Sequence, residues 1–221
     1  MAGAPATARP LRRAVSDADK AERRQEILAA AKAVFAANGY HATTVADIAK
    51  AAGLSYGSIY WYYESKETLF HELMSAEAAA LRSHIDHAVS AARSSPGPEA
   101  PFRAAVKATL EFYEGDRALV QLLFRDAYAL GDAFEEHLSE INASFVADTE
   151  RIVLHAQEQG AIVPGRPKMI AFAITALVGQ LAHRRLRTDD GLSSGEAADF
   201  AVRVLLDGLV PRARPARARA R

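Results

Sequence analysis

The side chains with the clearest chemical purpose fall in one short stretch: Thr44, Tyr56, Gly57, Ser58, Tyr60, Trp61, Tyr62 and Lys66. Hydroxyls, an ammonium group and the free N–H groups at a helix start all donate to phosphate oxygens, so Thr44, Tyr60, Tyr62 and Lys66 are candidates to hold a nucleic-acid backbone. Helical phase puts Tyr56, Gly57, Ser58 and Trp61 toward the floor of a groove. Glycine reads no base but permits close approach, and Tyr and Trp touch thymine methyls, a weaker readout than a bidentate Arg or Asn. The base sequence recognised does not follow from these residues. A purely structural role suits Tyr63 and part of Tyr62 better than it suits the whole set.

Two short helices must position these groups. Thr44 is a good N-cap, and Asp47 three residues on can return a bond to its backbone N–H, which predicts a helix from Val45. Gly53 ends it, since glycine tolerates the left-handed conformation of a tight C-cap, and Ser55 caps a second helix with Ser58 at its third position. Ile48, Leu54 and Ile59 supply the apolar contact between them, and Ala49 is small where the helices cross. Two short helices joined by a tight turn make a helix-turn-helix.

The stretch Thr44 to Lys66, above all Ile59-Tyr60-Trp61-Tyr62-Tyr63-Glu64-Ser65-Lys66-Glu67-Thr68-Leu69-Phe70, resembles the DNA-binding domain of the TetR family of bacterial transcriptional regulators. The resemblance covers roughly residues 20 to 70. It implies that the second short helix enters the major groove and that a tyrosine and a lysine placed like Tyr60 and Lys66 hold phosphates. Tyr62 stands where histidine is frequent in the family, and its hydroxyl can still donate to phosphate.

Other chemistries find little support. The chain has no cysteine, which removes disulfides and thiolate metal sites. His84 and His87 lie three apart on one predicted helix, with His71 and Glu72 earlier on it, but no further ligand is near enough in sequence to complete a zinc site. No glycine-rich phosphate loop or nucleophile elbow is present. Neither an enzyme activity nor a cofactor is expected.

The 221 residues carry equal numbers of acidic and basic side chains, 27 of each, and half are hydrophobic. The neutral total hides basic ends, with Arg9, Arg12, Arg13, Lys20, Arg23 and Arg24 in front and Arg212, Arg214, Arg217, Arg219 and Arg221 behind. Residues 1–18 read as a disordered basic tail, 19–66 as the helix-turn-helix domain, 67–210 as a helical ligand-binding and dimerisation domain, and 211–221 as a disordered Arg-rich tail. The start lacks a signal-peptide core, and the longest apolar run, Met169 to Ala182, is interrupted by Thr175 and Gln180. The chain is expected in the cytoplasm, away from the membrane.

Helical periodicity runs throughout, so the expected fold is all-α, with about nine helices. One helix from Lys20 to Asn38 carries the stripe Ile27, Leu28, Ala31, Val34 and Phe35, and a long one from Lys66 to about Arg93 ties the two halves together. Later helices are predicted near 102–114, 119–130, 132–159, 168–187 and 195–210. The helix over 168–187 has a second apolar strip of small residues, which predicts a partner subunit. Ala171, Thr175, Val178, Gly179 and Ala182, with Phe200 and Val204 of the last helix, are the candidate homodimer interface, as the resemblance also implies. Leu110, Tyr113, Phe124, Tyr128, Phe134 and Phe145 are candidates to line a pocket for a small lipophilic or aromatic effector. The expected function is a homodimeric regulator released from a palindromic double-stranded DNA operator by that effector, its two reading helices about 34 Å apart. The competing reading is a helical binding module with a vestigial DNA domain.

Overall fold

The computed structural model describes residues 17–96, 100–116, 118–119, 122, 132–158, 162, 164–188 and 191–206, with backbone alone at 132–134 and 186–187. Eight complete helices lie among the described residues: α1 Asp17–Asn38, α2 Val45–Ala51, α3 Tyr56–Tyr60, α4 Lys66–Ala92, α5 Ala100–Gly115, α6 Asp132–Glu158, α7 Pro167–Arg187 and α8 Ser194–Leu206. The expected all-α fold is what the chain adopts. Helix α1 begins at Asp17, three residues before the expected start, because Asp17 and Asp19 place acidic groups in the first turn, where the helix dipole favours them. The boundary drawn between tail and DNA-binding domain at residue 18 therefore falls inside a helix. The basic C-terminal tail and most of the helix expected over 119–130 lie outside the described residues.

The short helices form where their caps dictate. Thr44 and Asp47 close a capping box, with the Asp47 N–H donating to Thr44 Oγ1 at 3.2 Å and the Thr44 N–H to Asp47 Oδ2 at 2.9 Å. Gly53 takes φ +66° and the Leu54 N–H reaches back to the Ala49 carbonyl at 2.9 Å, so the left-handed residue ends α2 and turns the chain into α3. Ser55 caps α3 through the Ser58 N–H at 3.2 Å, and Ser65 caps α4 through the Thr68 N–H at 3.1 Å.

One core holds the DNA-binding half together and extends beyond it. Ile27, Phe35, Ile48, Ile59, Leu69, Phe70 and Leu73 are almost completely buried. The Phe35 ring meets Phe70 edge-on at 5.1 Å, and Tyr40 packs against both. Met74 of α4 and Leu119 and Leu122, from the segment after α5, belong to the same cluster. Each such side chain contributes about 1.5 to 3 kcal/mol on burial. The helix-turn-helix is consequently seated on the bundle through shared core.

Behind it, Val106 and Leu110 of α5, Val178 and Ala182 of α7, and Ala197, Ala198, Ala201 and Val202 of α8 make a second cluster. A third joins Val146 and Val153 of α6 to Ala171 of α7. Polar ties close the far end: Arg103 forks onto Asp199, while Glu114 accepts from Arg185 Nε at 2.9 Å and from Ser194 Oγ at 2.6 Å.

Candidate nucleic-acid interface

Helix α3 is a short shelf whose inner edge is core and whose outer edge is aromatic. Ile59 and Tyr63 are 1% and 2% exposed, whereas Tyr56 is 55%, Tyr60 42% and Trp61 64% exposed. Apolar rings left in water on a helix whose other side is locked by core are available for a partner. The Tyr56 and Tyr60 hydroxyls lie 3.0 Å apart and their rings meet at 5.0 Å, so the two act as one unit, and the mutual hydrogen bond pushes the Tyr60 phenol up. Gly57 is exposed, and a Cβ built there would meet nothing within 4 Å. The fold does not require glycine at this position.

The remaining candidates divide. Thr44 is exposed at the start of α2, with its hydroxyl engaged by Asp47 at 2.6 Å. The Ser58 hydroxyl lies 2.6 Å from that of Ser55 and is committed to the cap as much as to any groove. Tyr62 is half-buried against the core, its ring edge-on to Trp61 at 4.7 Å. Lys66 has two hydrogen-bond partners within the protein. Its ammonium donates to the Tyr40 and Thr43 carbonyl oxygens, both at 2.9 Å, and sits 4.3 Å from the Tyr40 ring centroid. With two of its three donors turned inward, Lys66 fastens the turn that presents Thr44.

Sequence reasoning missed the part of α1 that borders this shelf. Lys20 Nζ lies 6.0 Å from the Trp61 ring, and the Arg24 guanidinium lies 5.5 Å from that of Tyr63 while pairing with Glu72 at 3.2 Å. These cations were visible only as a basic N-terminal region, and their register against α3 depends on how α1 crosses it. A cation beside the exposed Trp61 ring at a helix-turn-helix suits a polyanion with base edges.

The candidate interface on α7 needs a correction. Ala171, Val178 and Ala182 are buried in the protomer's own clusters and are unavailable to a partner. Thr175 is partly buried, its hydroxyl donating to the Ala171 carbonyl at 2.9 Å, and Gly179 is partly exposed. The apolar face left open is rotated from the expected one: Met169, 62% exposed, and Phe172, 52%, lead a stripe continued by Ala173 and Ala176. On α8, Phe200 is 48% exposed and Val204 partly buried. The periodicity of α7 revealed two apolar faces but not which of them the bundle takes.

Between α4, α5 and α6 lies a cavity of about 50 Å³ lined by Met74, Glu77, Leu81, Phe112, Tyr113, Leu119, Leu138, Ile141 and Phe145. Two of the pocket candidates, Tyr113 and Phe145, are among these walls, and burial pushes the Tyr113 phenol up. Leu110 is fully buried in the cluster between α5, α7 and α8 and does not line this cavity. Phe124 and Tyr128 lie outside the described residues, as does the side chain of Phe134. His84 and His87 are both exposed, with His84 facing Phe112 at 5.9 Å. Among the described residues no group of metal-binding side chains converges.

An all-helical chain that carries a capped helix-turn-helix with an aromatic outward face and rests it on a helical bundle has the build of a DNA-reading regulator. Residues 27–73 match the sequence signature of the bacterial regulatory proteins, tetR family, and residues 95–209 that of the tetracyclin repressor-like C-terminal domain. The chain is 29% identical over 192 residues to the transcriptional activator FasR of Mycolicibacterium smegmatis, covering 85% of this chain and 83% of that one. It is 31% identical over 149 residues to the probable acrEF/envCD operon repressor of Escherichia coli K12, covering 66% and 67% respectively. In fold it is similar to the regulator FadR of Bacillus subtilis, solved with stearoyl-CoA, with a TM-score of 0.73 at 19% identity over 84% of this chain and 99% of that one. The chain belongs to the TetR family and is a DNA-binding transcriptional regulator.

Proposed function

We propose that the protein is a homodimeric repressor that places two copies of α3 in successive major grooves of a palindromic operator and leaves it when an effector enters the bundle. The carrying observation is the exposed aromatic edge of α3, Tyr56, Tyr60 and Trp61, on a helix whose inner edge is sealed into core. Tyr60 and Thr44 contact phosphates, Tyr56, Gly57 and Trp61 approach the bases, and Lys66 acts by holding the turn. The exposed stripe Met169, Phe172, Ala173 and Ala176 of α7, with Phe200 of α8, forms the two-fold contact between protomers. The domains divide near Lys66 in chain order, and the protein acts in the cytoplasm, where its DNA is. No helix among the described residues is long and apolar enough to cross a membrane.

The effector in this reading is a lipophilic or aromatic molecule lodged at the cavity walled by Phe112, Tyr113 and Phe145, which the described cavity would have to enlarge to admit. A coupling of ~1 to 3 kcal/mol between the two sites changes operator affinity 5- to 150-fold. The test is selection of duplexes from a random DNA pool at moderate salt, followed by release from the selected duplex with a panel of acyl-CoA thioesters and aromatic compounds. Enrichment of a two-fold palindrome and release by one class support the reading. Salt-sensitive binding with no enriched sequence overturns it in favour of the binding-module alternative. Transcription from a template bearing the selected site fixes the sign, since one relative is named an activator and another a repressor.

A further inference from the structure

Two partly buried ion pairs among the described residues meet at one lysine. Lys32, on α1, has its ammonium 2.6 Å from Glu77 Oε1 of α4 and in contact with Asp116 Oδ2, just beyond α5. The three side chains are 20%, 16% and 29% exposed, so the pairs are screened less than Arg24–Glu72, the other link from α1 to α4, whose partners are each 45% exposed. Burial opposes the charge on Lys32, but the hydrogen bonds from its two carboxylate partners outweigh that and hold its pKa above the usual lysine value.

Each partner of Lys32 is also part of the cavity region. Glu77 lines the cavity and is the charged group among its described walls. Asp116 accepts the Leu119 N–H at 3.0 Å on its other oxygen, and Leu119 lines the cavity while belonging to the core of the DNA-binding half. One ammonium therefore bridges two carboxylates, one on the cavity wall and one that accepts the backbone N–H of Leu119, another wall residue. The bridge holds only while Glu77 and Asp116 stay together, and their like charges separate once the lysine is withdrawn.

We propose that Lys32 is a positioning residue for DNA reading: through its ion triad with Glu77 and Asp116 it sets the orientation of the helix-turn-helix relative to the bundle. Anything at the cavity that parts Glu77 from Asp116 frees α1 and, through the shared core, α3. The inference rests on the reading of the chain as an effector-controlled regulator for its purpose, but its geometry is testable without operator or effector.

The chain has no native cysteine, so spin labels at Lys50→Cys on α2 and Ala147→Cys on α6, both exposed positions, report the distance between the two halves. Mixing with excess unlabelled chain leaves only distances within a protomer. Lys32→Met is expected to shift or broaden that distribution, as are Glu77→Gln and Asp116→Asn, which keep the proposal testable should Lys32→Met fail to fold. The swapped pair Lys32→Glu with Glu77→Lys puts the cation on α4, between Asp116 and the carboxylate introduced on α1, and is expected to restore the distribution. A wild-type distribution in Lys32→Met, or in both neutralised variants, overturns the proposal, as does a swap that folds yet fails to restore it. On a selected operator the dissociation constant of Lys32→Met rises at least tenfold and the swap returns it to within about threefold. Absence of any selectable operator would count against the functional reading alone, because the distance measurement stands without it.

Discussion

The Lys66 ammonium donates to the Thr43 carbonyl oxygen at 2.9 Å, across 23 residues of sequence, and to that of Tyr40 at the same distance. This contact ties the lysine to the turn before α2. Thr43 itself is 1% exposed, with its hydroxyl donating to the Gly39 carbonyl at 2.7 Å, so the turn is held from two sides. Lys66→Met is expected to cost about 2 kcal/mol, from hydrogen bonds to a charged group and a cation over a ring, and to lower the melting temperature by roughly 4 to 8 °C. Calorimetry checks the fall, and operator titrations over a salt series check the role. A slope on log salt unchanged from wild type supports fastening, whereas one shallower by about one counterion assigns Lys66 a direct phosphate contact.

Gly57 separates folding from reading. Since a Cβ meets nothing there, Gly57→Ala is expected to stabilise the protein by about 0.5 to 1 kcal/mol through reduced freedom of the unfolded chain. In the proposed complex the same methyl would stand between α3 and the bases, so operator affinity is expected to fall at least tenfold. Paired measurements of melting temperature and of operator binding by anisotropy decide the matter. Equal affinity would place Gly57 away from the groove.

The two faces of α7 give opposite outcomes. Phe172→Asp or Phe200→Asp puts a charge on the exposed stripe and is expected to yield a folded monomer in sedimentation, with its far-UV circular dichroism unchanged. Val178→Asp instead buries an unpaired carboxylate among Val106, Leu110 and Val202 and is expected to unfold the bundle. A folded monomer from Val178→Asp would restore the interface first read from the sequence.

Acid is expected to loosen the contact between α4 and α6. His71 stacks on His137 with ring centroids 4.6 Å apart, and His137 Nε2 lies 3.2 Å from both Ser75 Oγ and the His71 carbonyl. Burial first, and then the neighbouring His137, hold the His71 pKa below the usual 6.5, while Glu67 pulls weakly the other way. A histidine with a depressed pKa in the native state favours folding fully above the unfolded value. That contribution declines as pH falls from about 6.5 toward the native value, because the unfolded chain takes the proton first. The melting temperature is expected to drop over that window, and His71→Gln to flatten the drop in thermal melts across a pH series.

Thr44→Ala removes the capping box of α2. About 1 kcal/mol of stability is expected to go with it, and operator affinity to fall further than that loss explains if the Thr44 hydroxyl also meets phosphate. Thr44→Ser keeps the cap, so its operator affinity serves as the control.

Local chemistry made much of the DNA-binding half legible in the sequence alone. Thr44 with Asp47, Gly53, Ser55 and Ser65 each form the cap or turn that their side-chain chemistry demands, since those bonds close within a few residues of chain. The stripe of α1 and the exposure of Tyr56, Tyr60 and Trp61 against buried Ile59 and Tyr63 followed from helical phase, a one-dimensional property. What tertiary structure decided are the choices between equivalent partners. Nothing local to Lys66 pointed to its two carbonyl partners, and the fold brings the Tyr40–Thr43 turn beneath it. Both faces of α7 are apolar, and only the rotation imposed by α5, α6 and α8 determines that Ala171, Val178 and Ala182 go inward and Met169 and Phe172 outward. Lys32, Glu77 and Asp116 lie 45 and 39 positions apart along the chain and carry no local signal; they meet because α1, α4 and the end of α5 converge on one core.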